Sequence, residues 1–95
     1  MRANYFDSGR QVFSYQTVIL ERHNGLTIGN VTLYGIATAR HQVRAGSMVA
    51  DVRLDNVPKG ATDLLTIAVN CGLVGMAGGA EWSVLHARAT HADAS

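Results

Sequence analysis

The dipeptide Asn24-Gly25 restricts the fold of this chain more than any other sequence feature. Both central positions of a type I′ turn require positive φ, and Asn followed by Gly satisfies that requirement well. Residues 11–21 before the dipeptide and residues 26–34 after it are rich in β-branched and aromatic side chains, which favour strands. The sequence therefore predicts an antiparallel hairpin with Asn24-Gly25 at its tip.

The turn also predicts which residues lie opposite each other and which strand face is buried. The register pairs His23 with Leu26, Val18 with Val31, Thr17 with Thr32 and Tyr15 with Tyr34. One face is then aliphatic, as expected for a core, and carries Leu20, Val18, Val31 and Leu33. The opposite face is typical of a partly covered surface or an interface and carries Phe13, Tyr15, Thr17, Ile19, Thr32 and Tyr34.

A short helix and a third strand are predicted after the hairpin. The Thr38 hydroxyl can N-cap a helix over residues 39–45, which Gly46 would end. An irregular loop is the alternative for this segment. Residues 48–57 alternate between apolar and polar side chains, which predicts a strand with one wet face. The inward positions of that strand are Ala50, Val52 and Leu54.

The rest of the chain predicts one more helix and one more strand. Thr62 or Asp63 can cap a helix over Leu64–Asn70, although a buried strand also fits this short apolar run. The helix would turn Leu64, Leu65, Ala68 and Val69 inward. The glycine-rich residues 72–80 predict a connection. Side chains of residues 81–90 alternate between two faces, which predicts the last strand, and residues 91–95 predict a frayed tail.

The expected fold is a single small α+β domain over residues 1–95. It would contain a small antiparallel sheet, formed by the N-terminal hairpin and two further strands, with two short helices. Charged residues make up only 16% of the chain, against an ordinary fraction of about 25%, which indicates a folded domain with some surface covered by a partner. A homodimer is one such arrangement, since a core of this size is small.

Charge and cysteine content narrow the function classes. The formal net charge of +1 gives no field that would draw in nucleic acid. The single cysteine, Cys71, excludes an internal disulfide and fits a cytoplasmic location, the cytosol of a host cell. The N-terminus does not have the pattern of a signal peptide, and no apolar stretch is long enough to span a membrane, so no membrane partner is expected.

Residues 34–44 hold the densest cluster of groups able to bind or react. Arg40 and Arg44 lie one helical turn apart, just after the predicted helix N-terminus, where N–H groups and the helix dipole favour anions. The pair could hold a phosphate, a carboxylate or an acidic partner surface. The alternative is a solvated polar face in which His41 satisfies a backbone carbonyl. The predicted binding residues are Tyr15, Tyr34, Thr38, Arg40, His41, Gln42 and Arg44.

Two short motifs lie in and after the predicted hairpin: Ser14-Tyr15-x-Thr17 and Tyr34-x-x-x-Thr38-x-Arg40-His41-Gln42. Together they resemble a group of short uncharacterised proteins from phages and other mobile elements, with the motif Tyr-Ser-x-Thr-Thr-Ser-Arg-His-Gln after a hairpin that carries Ser-Tyr-x-Thr. Gly35, Ala37 and Ala39 replace hydroxyl residues of that group. The resemblance covers about half of the chain and implies a mobile-element origin, with an anti-defence, anti-CRISPR-like role as a hypothesis.

Three functions follow from these observations as alternatives. The first is a non-enzymatic binding protein of phage or mobile-element origin that engages, and could inhibit, a host protein. The second is a nucleic-acid-binding accessory protein in which Tyr15 and Tyr34 stack bases beside the arginines. The third is a small hydrolase that uses His41 or Cys71. No cofactor and no metal are expected, because the histidine and cysteine spacing supplies no convergent ligand set.

Overall fold

The computed structural model describes residues 4–77 and 81–87 of the chain. Its main sheet consists of β1 (Tyr5–Asp7), β2 (Gln11–Ser14), β3 (Thr17–His23), β4 (Leu26–Asn30) and β5 (Val52–Leu54), in that spatial order. A separate antiparallel pair consists of β6 (Val74–Ala77) and β7 (Glu81–Val84). The helices are α1 (Ile36–Ala45) and α2 (Leu64–Asn70), and a 3₁₀ turn covers Ser47–Val49.

The predicted α+β class with two short helices is confirmed, but the sheet is more elaborate than expected. The prediction of antiparallel pairing alone is wrong for β4 and β5, which run parallel. Parallel neighbours need a crossover connection, and the segment that contains α1 supplies it. Residues 72–80 are also more than a connection, because β6 lies within them and pairs with β7.

The hairpin tip at Asn24-Gly25 is confirmed. Both residues have positive φ, 48° and 88°, and His23 lies opposite Leu26 as predicted. The predicted register holds as far as the pairing of Leu20 with Gly29. The local chemistry of the turn was therefore sufficient to set the pairing of β3 with β4.

The single strand predicted over residues 11–21 is wrong, because the chain reverses at Tyr15 and Gln16. Both residues have positive φ, 48° and 70°, and β2 folds back to pair with β3. Ser14 then lies opposite Thr17, so the predicted pairs beyond Leu20 do not form. Those pairs are Val18 with Val31, Thr17 with Thr32 and Tyr15 with Tyr34.

The buried side chain of Asn30 gives the physical reason for the early end of β4. Its amide nitrogen donates to the Val18 carbonyl at 3.0 Å, and its amide oxygen accepts the Thr32 N–H at 3.0 Å. The Val18 N–H donates to the carbonyl of Ala61 at 2.9 Å, and the Val31 N–H donates to that of Leu54 at 2.8 Å. Contacts with the Asn30 side chain, with the loop at Ala61 and with strand β5 thus replace the remaining hairpin hydrogen bonds.

Hydrophobic cores cover both faces of the main sheet. Val18 belongs to a larger cluster with Leu64 and Ala68 of α2, whereas Ile19 belongs to a smaller cluster that Ala45 of α1 contacts. The predicted core positions Val18 and Leu20 are buried. The prediction is wrong for Leu33, which is 86% exposed, for Val31, which is half-buried, and for Ile19, which is fully buried.

Both helices are confirmed, α2 with the predicted bounds and α1 with a corrected start. α1 starts at Ile36 with Gly35 as its N-cap, so Thr38 lies inside the first turn and does not cap it. Gly46 ends α1 in the left-handed conformation, as predicted. Asp63 caps α2 by accepting the Thr66 N–H, which decides between helix and strand for this segment.

The remaining strand predictions are confirmed in part. Strand β5 is shorter than residues 48–57, but the predicted inward residues are buried as expected: Val52 and Leu54 within the strand and Ala50 before it. Strand β7 covers only the start of residues 81–90. Residues 88–90 and the tail predicted over 91–95 lie outside the described residues. In α2, Leu64 and Ala68 are buried and Leu65 is half-buried, whereas Val69, predicted inward, is exposed.

Candidate functional site

The structure places the predicted binding residues in different settings around α1. Arg40 and Arg44 lie on the exposed outer face of α1, whereas Thr38 and Gln42 are buried on its inner face. His41 lies at the boundary and is half-buried. The two tyrosines, Tyr15 and Tyr34, line a common cavity although they do not pair in the sheet.

Gln42 is used by the fold. Its side chain is only 1% exposed, and its amide nitrogen donates to the Asn30 carbonyl at 2.7 Å and to the Thr32 carbonyl at 2.9 Å. Both amide protons are therefore engaged with the segment that leaves β4. Gln42 positions α1 against the sheet and offers no donor to a ligand.

The His41 ring lies between two tyrosine rings. The Tyr5 ring meets it edge-on, with a centroid distance of 5.2 Å, and the Tyr15 ring stacks on it at 5.6 Å. The guanidinium carbon of Arg44 lies 4.0 Å from the centroid of the Tyr5 ring, which is a cation–π geometry. These contacts join the start of the chain, the β2–β3 turn and α1 into one cluster.

The buried Ser14 hydroxyl connects His41 to Thr38. Ser14 Oγ lies 2.7 Å from His41 Nδ1 and 3.1 Å from Thr38 Oγ1, so it bonds to both. This contact corrects the expectation that His41 satisfies a backbone carbonyl. When Nδ1 carries the proton, Ser14 accepts from His41 and donates to Thr38, and the Thr38 proton is then available to another acceptor.

The Ser14–His41 contact has the distance of a nucleophile and its base. Ser14 is 1% exposed, however, and tyrosine rings contact His41. Cys71, the nucleophile predicted for a hydrolase, lies exposed at the C-terminal end of α2.

A cavity of about 380 Å³ opens beside this hydroxyl pair. Its lining residues are Ser14, Tyr15, Thr17, Tyr34, Thr38 and Lys59. Thr17 Oγ1 accepts the Gly60 N–H at 2.9 Å, which leaves the Thr17 hydroxyl proton for another acceptor. The Tyr34 hydroxyl donates to the Val57 carbonyl and accepts from Asn30. These lining residues bring hydroxyl groups together with one cation and without a carboxylate.

Sequence reasoning missed Ser14, Thr17 and Lys59 as site residues. Ser14 and Thr17 flank the β2–β3 turn, whereas the prediction had both within one continuous strand, with Thr17 on the partly covered face. The signal that could have found them is the Ser14-Tyr15-x-Thr17 motif, which the turn folds around the cavity mouth. Lys59 comes from the turn after β5, and no local pattern connects it to the hairpin.

The outer face of α1 carries aliphatic side chains that the fold leaves exposed. Leu33, just before the helix, is 86% exposed, Ile36 is 77% exposed and Val43 is 68% exposed. Positions 36, 40 and 43 have the spacing of one helix face, so the exposed Arg40 lies between the two apolar side chains. The name outer α1 face is used below for Ile36, Arg40, Val43 and Arg44 of the helix, together with Leu33 just before it.

The remaining titratable groups that the structure describes do not form a metal centre. His23 Nε2 lies 2.9 Å from a carboxylate oxygen of Glu21, which is buried. Within residues 4–77 and 81–87, no group of three or more histidine, cysteine, aspartate or glutamate side chains could hold a metal ion. In the same part of the chain, no helix is long and apolar enough to cross a membrane.

The fold and the site together define a small α+β domain with a hydroxyl-lined cavity beside an exposed apolar and basic helix face. Comparisons with models of protein families, with curated proteins and with solved structures found no match for this chain.

Proposed function

We propose that this protein is a non-enzymatic binding protein that engages a protein partner through the outer α1 face. The observation that carries the proposal is the exposure of Leu33, Ile36 and Val43 next to Arg40 and Arg44. Single exposed aliphatic residues are ordinary, but Ile36 and Val43 share one helix face and Leu33 lies shortly before it in the chain, and such grouped exposure is typical of an interaction surface. Arginine is also among the residues enriched at binding hot spots.

Burial of the aliphatic side chains supplies the attraction. Full burial of one Leu, Ile or Val side chain is worth roughly 1.5–3 kcal/mol, so the set offers about 4–9 kcal/mol before the costs of association. A bound partner would need an apolar groove that receives the helix face. Such helix-in-groove contacts use anchors spaced as Ile36 and Val43 are.

The arginines define the charge of the partner. A surface with carboxylates around the groove would complement Arg40 and Arg44, raise the association rate and exclude basic competitors. A nucleic-acid phosphate backbone would also attract the arginines, but it would leave the aliphatic side chains in water. The mixture of apolar and basic side chains therefore favours an acidic protein over nucleic acid.

The resemblance to phage and mobile-element proteins supports a host protein as the partner. A small protein that covers a functional surface of host machinery can inhibit it by occupancy alone, without chemistry of its own. An anti-defence role is the form of inhibition that this origin suggests. The identity of the host component is left to the experiment below.

The test is capture from bacterial host lysate on the immobilised protein, carried out with and without nuclease treatment of the lysate. The variants are Ile36→Ser with Val43→Ser, which removes the apolar anchors, and Arg40→Glu, which reverses the charge. The controls are Val69→Ser, an exposed aliphatic residue of α2, and Arg10→Glu, an exposed cation outside α1.

We expect one partner that both controls capture as the wild type does, that the Ile36→Ser/Val43→Ser variant loses and that Arg40→Glu captures less. Arg40→Glu alone should weaken the affinity about tenfold, which corresponds to about 1.4 kcal/mol. Equal capture by wild type and outer-face variants would contradict the assignment of the surface. Capture that disappears with nuclease would replace the protein partner with nucleic acid.

A further inference from the structure

We infer that the cavity between the β2–β3 turn and α1 binds a small oxyanion-bearing molecule, a phosphate monoester or a carboxylate. The inference is independent of the outer α1 face, because it rests on other residues. The cavity volume of about 380 Å³ lies in the range of small-molecule sites, roughly 300–1,000 Å³. A bare phosphate would fill only part of it, so the ligand carries a further group.

The lining chemistry selects an anion. Lys59 brings an ammonium group, and the hydroxyls of Thr17 and Thr38 can donate protons into the same space. The described lining residues include no carboxylate that would repel an anion. Hydrogen bonds from charged and neutral donors to an oxyanion are about twice as strong as bonds between neutral groups.

The hydroxyl pair behind the cavity gives it a preorganised donor. Thr38 is 9% exposed and is held by Ser14, which in turn contacts His41 Nδ1. If His41 carries its proton on Nδ1, then His41 donates a hydrogen bond to Ser14, and Ser14 donates one to Thr38. Among the described residues the Thr38 proton then has no acceptor, and a ligand oxygen can supply one.

Tyr15 indicates the rest of the ligand. It lines the cavity, its side chain is 51% exposed, and one face of its ring stacks on His41. A planar aromatic group can stack on a tyrosine of this kind, as bases do in nucleotide-binding proteins. Adenosine monophosphate combines such a group with a phosphate, and it is therefore the first probe.

The experiment is a titration of the isotope-labelled full chain, followed by NMR amide shifts. The probes are adenosine monophosphate, adenosine, inorganic phosphate and benzoate. The variants are Lys59→Gln, which removes the charge, and Lys59→Arg, which keeps it. Arg10→Gln serves as the matched control, because Arg10 is an exposed cation away from the cavity lining.

We expect saturable shifts at Ser14, Tyr15, Thr17 and Thr38 with adenosine monophosphate, and weaker binding of adenosine by at least about tenfold, since adenosine lacks the oxyanion. Lys59→Gln should weaken adenosine monophosphate by a similar factor, whereas Lys59→Arg and Arg10→Gln should retain binding. Benzoate shows whether the cavity also accepts a carboxylate. Binding of either adenosine monophosphate or benzoate supports the oxyanion site.

Three outcomes would overturn the inference. The first is no saturable shift with either acid at millimolar concentration, which would indicate a cavity filled by water. The second is equal affinity for adenosine and its monophosphate. The third is undiminished binding by Lys59→Gln. The Lys59 variants leave the outer α1 face intact. A negative result in this ligand titration would therefore leave the proposed partner-binding surface untouched.

Discussion

Glu21 provides the sharpest test of the packing that holds the fold. Its side chain is 1% exposed and lies under the N-terminus of α2. One carboxylate oxygen accepts the Leu64 N–H at 2.7 Å and the Gln11 amide at 2.8 Å. The other oxygen accepts the Leu65 N–H at 3.0 Å and contacts His23 Nε2 at 2.9 Å. The carboxylate thus replaces the missing acceptors of the first helical turn.

The substitution Glu21→Gln changes one oxygen to an amide nitrogen and leaves the size unchanged. The new NH₂ group must face either the Leu64 or the Leu65 N–H, and two donors then meet. Loss of one hydrogen bond to a charged group costs about 1.5–3 kcal/mol, and loss of the charge at the helix N-terminus costs about 0.3–1 kcal/mol. The expected decrease in the free energy of unfolding is therefore about 2–4 kcal/mol.

Urea denaturation at neutral pH measures this decrease. Asp63→Asn is the matched control, because Asp63 caps the same helix and Asn caps about as well as Asp. The control should stay within about 0.5 kcal/mol of the wild type. A decrease below about 1 kcal/mol for Glu21→Gln would refute the reasoning, since a single unsatisfied buried donor already costs that much.

Two further predictions concern a close approach and an acid-sensitive cap. A Cβ at Gly29 would collide with the Ser47 carbonyl oxygen, so Gly29→Ala should lower the free energy of unfolding by about 1–3 kcal/mol in the same urea assay. A decrease below about 0.5 kcal/mol would contradict the close approach at Gly29. The hydrogen bond from the Thr66 side chain lowers the pKa of Asp63. The ionised Asp63 cap therefore stabilises the folded protein at pH values above the unfolded-state pKa. That stabilisation is lost as the pH falls through the folded-state pKa. Asp63→Asn should therefore flatten the loss of stability below about pH 4, and a profile as steep as that of the wild type would contradict the assignment.

The sequence predicted those features whose causes are local. Asn24-Gly25 specifies its own turn type, Asp63 caps the helix that follows it, and Gly46 ends α1. Each of these residues acts within a few positions of itself. The alternation of Val52 and Leu54 likewise gave the buried face of β5.

The features that sequence reasoning missed depend on distant contacts. Tyr15 and Gln16 carry no turn signal, yet both adopt positive φ. Contacts from elsewhere hold the turn, including the Tyr15 N–H bond to the Asn4 carbonyl at 2.9 Å and the stack of Tyr15 on His41. Because this turn builds the cavity, the cavity could not be predicted either. Arg40 and Arg44 were predicted as binding residues from the sequence. Their exposed apolar neighbours could be recognised only once the start and end of α1 were known.

Site-directed photo-crosslinking at Val43 tests the central claim most directly. A photoreactive aromatic amino acid replaces Val43, which is 68% exposed on the outer α1 face, or Val69, an aliphatic residue of α2 that is 40% exposed, as the control. After irradiation in nuclease-treated host lysate, we predict one crosslinked protein from position 43 and none from position 69. No crosslink from position 43, or the same products from both positions, would contradict the assignment of the outer α1 face as the partner-binding surface.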